Sequence, residues 1–234
     1  EVSSGARNNY CFQSQVNPNI YFAGNLRSED AGYNWQALPD YIMCVAAYNP
    51  NGNELFAIGA NYGAVYVSKD TGVTWEKLFD RPIIYDNEAY SGINNLAYDG
   101  INNILYFTQA DTVAKYENGK ITRLNCEQMK DKWRTTLAVD PIHPNVIYTG
   151  GVPNGVEGFT TYDLIHSIYR SLDGGETWQV ISSADTDQSI VPDGPLVGNY
   201  FTWAMFVHPK TGYVYAGLPN YGLYKFAPPY EIEE

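Results

Sequence analysis

Positive charge is scarce in this chain. Lysine and arginine number 14 against 26 aspartates and glutamates, so the formal net charge is -12, and the sequence pI lies near 4.6. A surface of that sign repels the phosphate backbone and anionic lipid headgroups, which excludes nucleic acid and membrane surfaces as expected partners. Cysteine and histidine are equally sparse, at 3 residues each. Cys11, Cys44 and Cys126 are far apart and odd in number, and the histidines form neither a His-x-His nor a His-Glu-x-x-His pattern. Neither a metal centre, a cofactor nor a complete disulfide framework is therefore expected, and the thiols read as small core residues. No apolar run approaches the roughly 18 residues that a spanning helix requires, so no membrane insertion is expected. The chain opens at Glu1-Val2, without an initiator methionine or a signal pattern, which reads as a processed or partial form.

What is abundant is turn and strand chemistry. The 234 residues hold 21 glycines, 13 prolines and 21 tyrosines, a composition that disfavours long helices and suits short strands joined by tight turns. The strongest signal is internal repetition. Ser28-Glu29-Asp30-Ala31-Gly32-Tyr33-Asn34-Trp35, Ser68-Lys69-Asp70-Thr71-Gly72-Val73-Thr74-Trp75 and Ser171-Leu172-Asp173-Gly174-Gly175-Glu176-Thr177-Trp178 share the pattern Ser-x-Asp-x-Gly-x-Thr/Asn-Trp. The pattern reads as a hairpin. Its aspartate accepts backbone N–H bonds across the turn, its glycine supplies a conformation that a side chain forbids, and its tryptophan packs between neighbouring sheets. Asp30, Trp35, Asp70, Trp75, Asp173 and Trp178 are accordingly structural rather than catalytic. A turn followed by a strand precedes each box, at Val16-Asn17-Pro18, Tyr48-Asn49-Pro50 and Val139-Asp140-Pro141, and two further copies at 96–107 and 206–217 lack the box.

The boxes resemble the Asp-box, or bacterial neuraminidase repeat, of sialidases, xyloglucanase-type glycoside hydrolases and related β-propellers. That resemblance implies an all-β fold, a β-propeller of four-stranded antiparallel blades, with about five blade-like units in residues 1–234. The final unit stops after its third strand at 222–226. The chain is then either a single propeller domain closed by a strand from 1–9 or the C-terminal part of a larger ring. A sialidase site would require three clustered arginines and an Arg-Ile-Pro signature, whereas this chain holds six arginines in all and only the reordered Arg81-Pro82-Ile83. The stretch 139–150 followed by 167–178 looks closer to xyloglucanase-type repeats, whose enzymes place one carboxylate from each of two propeller domains across a cleft. The same repeat also occurs in non-catalytic propellers, among them photosystem assembly factors, sorting receptors and phage or bacterial surface proteins.

Antiparallel order within a blade A-B-C-D puts the A–B and C–D turns on one face and the B–C and D–A connections on the other. The boxes mark the first face. The long connections, 79–92, 125–134, 150–167 and 182–202, belong to the second, and long loops gathered at one end of a rigid scaffold are the usual place for function. They and their margins carry Tyr85, Tyr90, Trp133, Phe159, Tyr162, His166, Tyr200 and Trp203, whose rings suit the C–H faces of sugars, together with many carboxylates that suit hydroxyls. An oligo- or polysaccharide is the expected partner, with a protein or further propeller blades as alternatives, and an extracellular, cell-surface or virion location goes with it. Glycoside hydrolysis would need two carboxyl groups across a bond. Glu157 and Asp163, with Asp131 or Asp193 from a neighbouring connection, are the candidates.

Overall fold

The computed structural model describes residues 11–14, 16–82, 92–126, 132–153, 168–181, 204–218 and 222–231. These form five antiparallel sheets, each a blade whose strands follow chain order from the inner to the outer edge. Blade 1 is β1 (Cys11–Gln13), β2 (Tyr21–Ala23), β3 (Leu26–Ser28) and β4 (Gln36–Ala37); blade 2 is β5 (Ile42–Tyr48), β6 (Leu55–Gly59), β7 (Ala64–Ser68) and β8 (Glu76–Asp80). Blade 3 is β9 (Ile93–Asp99), β10 (Ile104–Gln109), β11 (Thr112–Glu117) and β12 (Lys120–Arg123); blade 4 is β13 (Lys132–Val139), β14 (Ile147–Pro153), β15 (Ile168–Ser171) and β16 (Gln179–Val180). Blade 5 has three described strands, β17 (Ala204–Val207), β18 (Val214–Leu218) and β19 (Gly222–Phe226). The molecule is a five-bladed β-propeller, as the repeat implied. The segment 1–9, assigned a closing strand from the sequence, lies outside the described residues.

Strand composition follows from this stacking. A B strand is covered on both faces by neighbouring blades, so β6 and β10 are buried along their whole length and read as continuous apolar runs rather than alternating ones. The outer strands β4 and β16 meet water and are polar and exposed. Four apolar cores lie between successive blades: Phe22 with Ile42 and Val45, Phe56 with Ile93 and Phe107, Tyr106 with Leu137 and Tyr169, and Tyr148 with Val207 and Val214. Blade 3 has no box, and its outer hairpin turns through Asn118 and Gly119, both at positive φ (50° and 79°), the two-residue loop that Asn-Gly specifies.

Strand ends depart from the sequence reading in three places. Trp133 and Arg134, read as connection, belong to β13 and pair with Val152 and Gly151 beyond a bulge between Arg134 and Thr136. Residues 150–153, read as the start of an insertion, continue β14. Phe79, also read as connection, lies in β8 with its ring stacked 4.9 Å from Tyr116 of blade 3. Aromatic and β-branched residues extend a paired strand until the partner runs out, and here the partner runs longer than the turn residues suggested. Trp75 and Trp178 pack between sheets as expected. Trp35 does not, because no described blade precedes blade 1, and its ring is exposed.

Candidate functional site

The three boxes occupy the C–D turns, β3 to β4, β7 to β8 and β15 to β16. Ser171 Oγ donates to Asp173 Oδ1 (2.7 Å) and accepts from the Gly175 N–H (2.8 Å), while Asp173 accepts from the Thr177 N–H (2.9 Å) and Thr177 Oγ1 (2.6 Å). Ser68, Asp70 and Thr74 repeat this network, and Ser28, Asp30 and Asn34 repeat it with an amide in place of the hydroxyl. Burial alone would raise the Asp173 carboxyl, yet the bonds from Thr177 and Ser171 outweigh it and hold the pKa at about 2. Asp70 is likewise lowered against the pull of burial by Thr74 and Ser68, and Asp30 is lowered chiefly by the Asn34 N–H. These carboxylates stay ionised and serve their own turns. The buried serine is the member whose role the sequence reading missed, although it stands in all three copies.

The A–B turns lie on the same face and are closed in a similar way. The last residue of the inner strand, or the one after it, turns its side chain on the backbone two and three positions ahead. Ser14 Oγ accepts from Val16 and Asn17, Asp99 Oδ1 from Ile101 and Asn102, Asp140 Oδ1 from Ile142 and His143, and His208 Nδ1 from Lys210 and Thr211; Asn49 Oδ1 accepts from Asn51. Four residue types thus perform one task. Two of these turns also have partners outside themselves: Asn51 Nδ2 donates to the Gly100 carbonyl of the next turn at 2.6 Å, and Tyr230 OH, from the segment after β19, donates to Asp140 Oδ2 at 2.6 Å while its ring meets His143. The box aspartates and the turn-capping side chains of this face are therefore engaged within the fold.

The opposite face is where the long connections leave. The strand ends Asp80, Arg123, Pro153 and Val180 and the strand starts Ile93, Lys132, Ile168 and Ala204 all lie there by antiparallel order. Of the expected site residues, Trp133 sits on β13 opposite Val152 at this end. Tyr85, Tyr90, Asp131, Glu157, Phe159, Tyr162, Asp163, His166, Asp193, Tyr200 and Trp203 lie outside the described residues. Inside the ring, the inner strands of all five blades line a cavity of about 380 Å³, with Phe12, Tyr48, Tyr98, Met205 and Phe206 in its wall and Pro50, Pro141 and Pro209 where it reaches the A–B turns. Among the described residues no charged side chain lines it. This apolar, aromatic wall was not foreseen from the sequence; the aromatic residues of the inner strands were its available signal.

A sequence model of the BNR/Asp-box repeat matches residues 169–180, the third box and its flanking strands. Curated protein sequences yield no significant match. Among solved structures the chain is similar to YCF48 bound to D1 peptide, at 16% identity and a TM-score of 0.60, covering 97% of this chain and 67% of that one. It is also similar to the GH74 xyloglucanase of Xanthomonas campestris, at 17% identity and a TM-score of 0.64 over 93% of this chain and 36% of the enzyme. An ancestral GH74 enzyme gives 19% identity and a TM-score of 0.65 over 93% of this chain and 31% of its own. The chain therefore spans about a third of the length of the xyloglucanases it matches, and identities this low speak for the fold alone. No helix among the described residues is long and apolar enough to cross a membrane. The chain is a five-bladed β-propeller that carries BNR/Asp-box repeats and resembles the propellers of GH74 xyloglucanases and of YCF48.

Proposed function

We propose that this propeller is a recognition module that binds an oligo- or polysaccharide on the face opposite its Asp-boxes, outside the cell or on a cell or virion surface. One observation carries the reading. Strand order puts the A–B and C–D turns at one end, with their capping serine, asparagine, aspartate and histidine side chains engaged internally, and puts at the other the strand ends from which the connections rich in tyrosine, tryptophan and carboxylate leave. Rings there supply flat apolar area for the C–H faces of sugars, and carboxylates accept from hydroxyls. Hydrolysis is the second reading, favoured by the likeness to GH74 xyloglucanases. Among the described residues the cavity wall holds no carboxylate, and the candidates for acid and base are Glu157 and Asp163 with Asp131 and Asp193, in the connections.

A glycan array combined with a reducing-sugar assay separates the readings. Binding that falls in Trp133→Ala, Tyr162→Ala and Trp203→Ala, with no release of reducing ends, is the expected result. Release of reducing ends that is lost in Glu157→Gln or Asp163→Asn at preserved binding would make the chain a glycoside hydrolase. A chain that binds no glycan but captures a peptide would have the kind of partner seen with YCF48.

A further inference from the structure

Basic residues are few in this chain, yet one position of the blade repeat holds them. On the third strand, the residue in register with the central aromatic of the second strand is Arg27 beside Phe22, Lys115 beside Tyr106, Arg170 beside Tyr148 and Lys225 beside Tyr215. Between blades 1 and 2 this cation closes the junction. The Arg27 side chain is 11% exposed, its Nε donates to the Thr71 carbonyl of the second box at 2.8 Å, and its other nitrogens reach Glu29. An arginine fork can hold two acceptors at once, whereas a lysine is a single point charge. Between blades 3 and 4, Lys115 turns to Glu117 of its own strand at 3.1 Å, and its side chain is 29% exposed.

The space beside Lys115 is a groove of about 600 Å³ on the flank of blades 3 and 4. One wall is a face of the β11–β12 hairpin, where Lys115 stands opposite Thr122 and Glu117 opposite Lys120. The other wall is the third box at Gly174, Gly175 and Glu176. The walls are fixed to each other at the end of β12: Leu124 is buried under Gly175, where a side chain would collide with it, and Asn125 Nδ2 donates to the Glu176 carbonyl at 3.0 Å. Three of the chain's 14 basic residues, Lys115, Lys120 and Arg123, line this groove, although the whole chain carries a net charge of -12. Lys115 is matched by Glu117. Among the described residues Lys120 and Arg123 have no ion pair and no side-chain hydrogen bond, and neither has the Glu176 carboxylate.

We propose that this groove binds an acidic sugar, a saccharide unit with one carboxylate on a hydroxylated ring. Arg123 and Lys120 supply charged donors for the carboxylate, and a concave wall concentrates their field locally against the negative surround. Glu176 accepts from ring hydroxyls, and the Thr122 hydroxyl both donates and accepts. The two glutamates also set the limit of charge. With three cations against two carboxylates the groove has one positive charge in excess, which matches a single carboxylate, whereas a densely charged anion would meet Glu117 and Glu176. A glutamate side chain of a peptide would pair with the cations but bring no hydroxyls for Glu176 and Thr122. The site is built from blades 3 and 4 and does not rest on the reading of the long connections.

Isothermal titration calorimetry on the full chain tests this with a matched pair of disaccharides, cellobiouronic acid and cellobiose, in which a carboxylate replaces one hydroxymethyl group. The acid is expected to bind, and cellobiose to bind roughly tenfold more weakly or not at all. Lys120→Gln and Arg123→Gln should each weaken the acid by about tenfold, whereas Lys210→Gln, a cation outside the groove, should leave it unchanged. Both groove residues are exposed, and circular dichroism checks the fold. Arg123→Lys, which keeps the charge and loses the fork, replaces Arg123→Gln if that variant does not fold, with a smaller loss expected. Absence of binding by the acid, equal binding of cellobiose, or acid binding that survives both groove variants would overturn the proposal. An equal loss in Lys210→Gln would overturn it by making the effect one of overall charge, and tighter binding of a tetraglutamate peptide would make the groove a peptide site instead.

Discussion

Asp173 accepts three hydrogen bonds from its own turn, so its charge serves the hairpin and is not available to a substrate. Asp173→Ala should therefore lower stability by about 1–3 kcal/mol, the cost of donors left without an acceptor, and leave glycan binding by the surviving fold unchanged. Thermal melts and a binding titration check this; lost binding at an unchanged melting temperature would make the box a ligand site. The pH dependence has a definite sign. The folded pKa of Asp173, about 2, lies below the ordinary value of 3.8, so the folded state binds fewer protons. Its stabilisation is present above the ordinary value and is lost as pH falls through the folded one. An acid titration of the melting temperature should fall more steeply in the wild type than in Asp173→Ala over that window. At this scale the aspartate, glycine and tryptophan of the box were legible from the sequence because each is irreplaceable for a geometric reason. The serine was not, because a hydroxyl that both donates and accepts gives little sign of which task it performs until the turn is seen.

Among elements, the A–B turns show how far a repeat can drift while its mechanics persist. Ser14, Asn49, Asp99, Asp140 and His208 are of four residue types, yet each caps the same turn. Pattern matching found the prolines that follow three of these residues and not the shared acceptor. Tyr230, in the segment after β19, adds a contact to one such turn by donating to the wholly buried Asp140. Tyr230→Phe should cost about 1.5–3 kcal/mol, the range for a hydrogen bond to a charged group, with denaturant unfolding as the measure and an unchanged midpoint as the contrary result. The boundaries of β8, β13 and β14 were the least legible feature, because a strand ends where its partner ends, and that is set by another segment. The end from which the long connections leave was legible, since it follows from strand order. The candidate residues were chosen by chemistry alone, and apart from the backbone of Trp133 they lie outside the described residues.

Across the whole molecule the propeller is a series of nearest-neighbour junctions, so its stability should vary along the chain rather than be uniform. Blades 2, 3 and 4 are packed on both sides, whereas blades 1 and 5 each have one packed side among the described residues. Truncating a central aromatic removes a core on which two blades depend. Phe56→Ala or Tyr106→Ala should therefore cost about 3–5 kcal/mol, and Tyr215→Ala, whose side has no described neighbour, about 1 kcal/mol or less. Hydrogen exchange supplies the matching readout without mutation. Amides of β6, β10 and β14 should be the last to exchange, with those of β2 and β18 exchanging faster because, among the described residues, only one side of each is packed. Equal protection in all five B strands would mean that blades 1 and 5 are covered as completely as the rest.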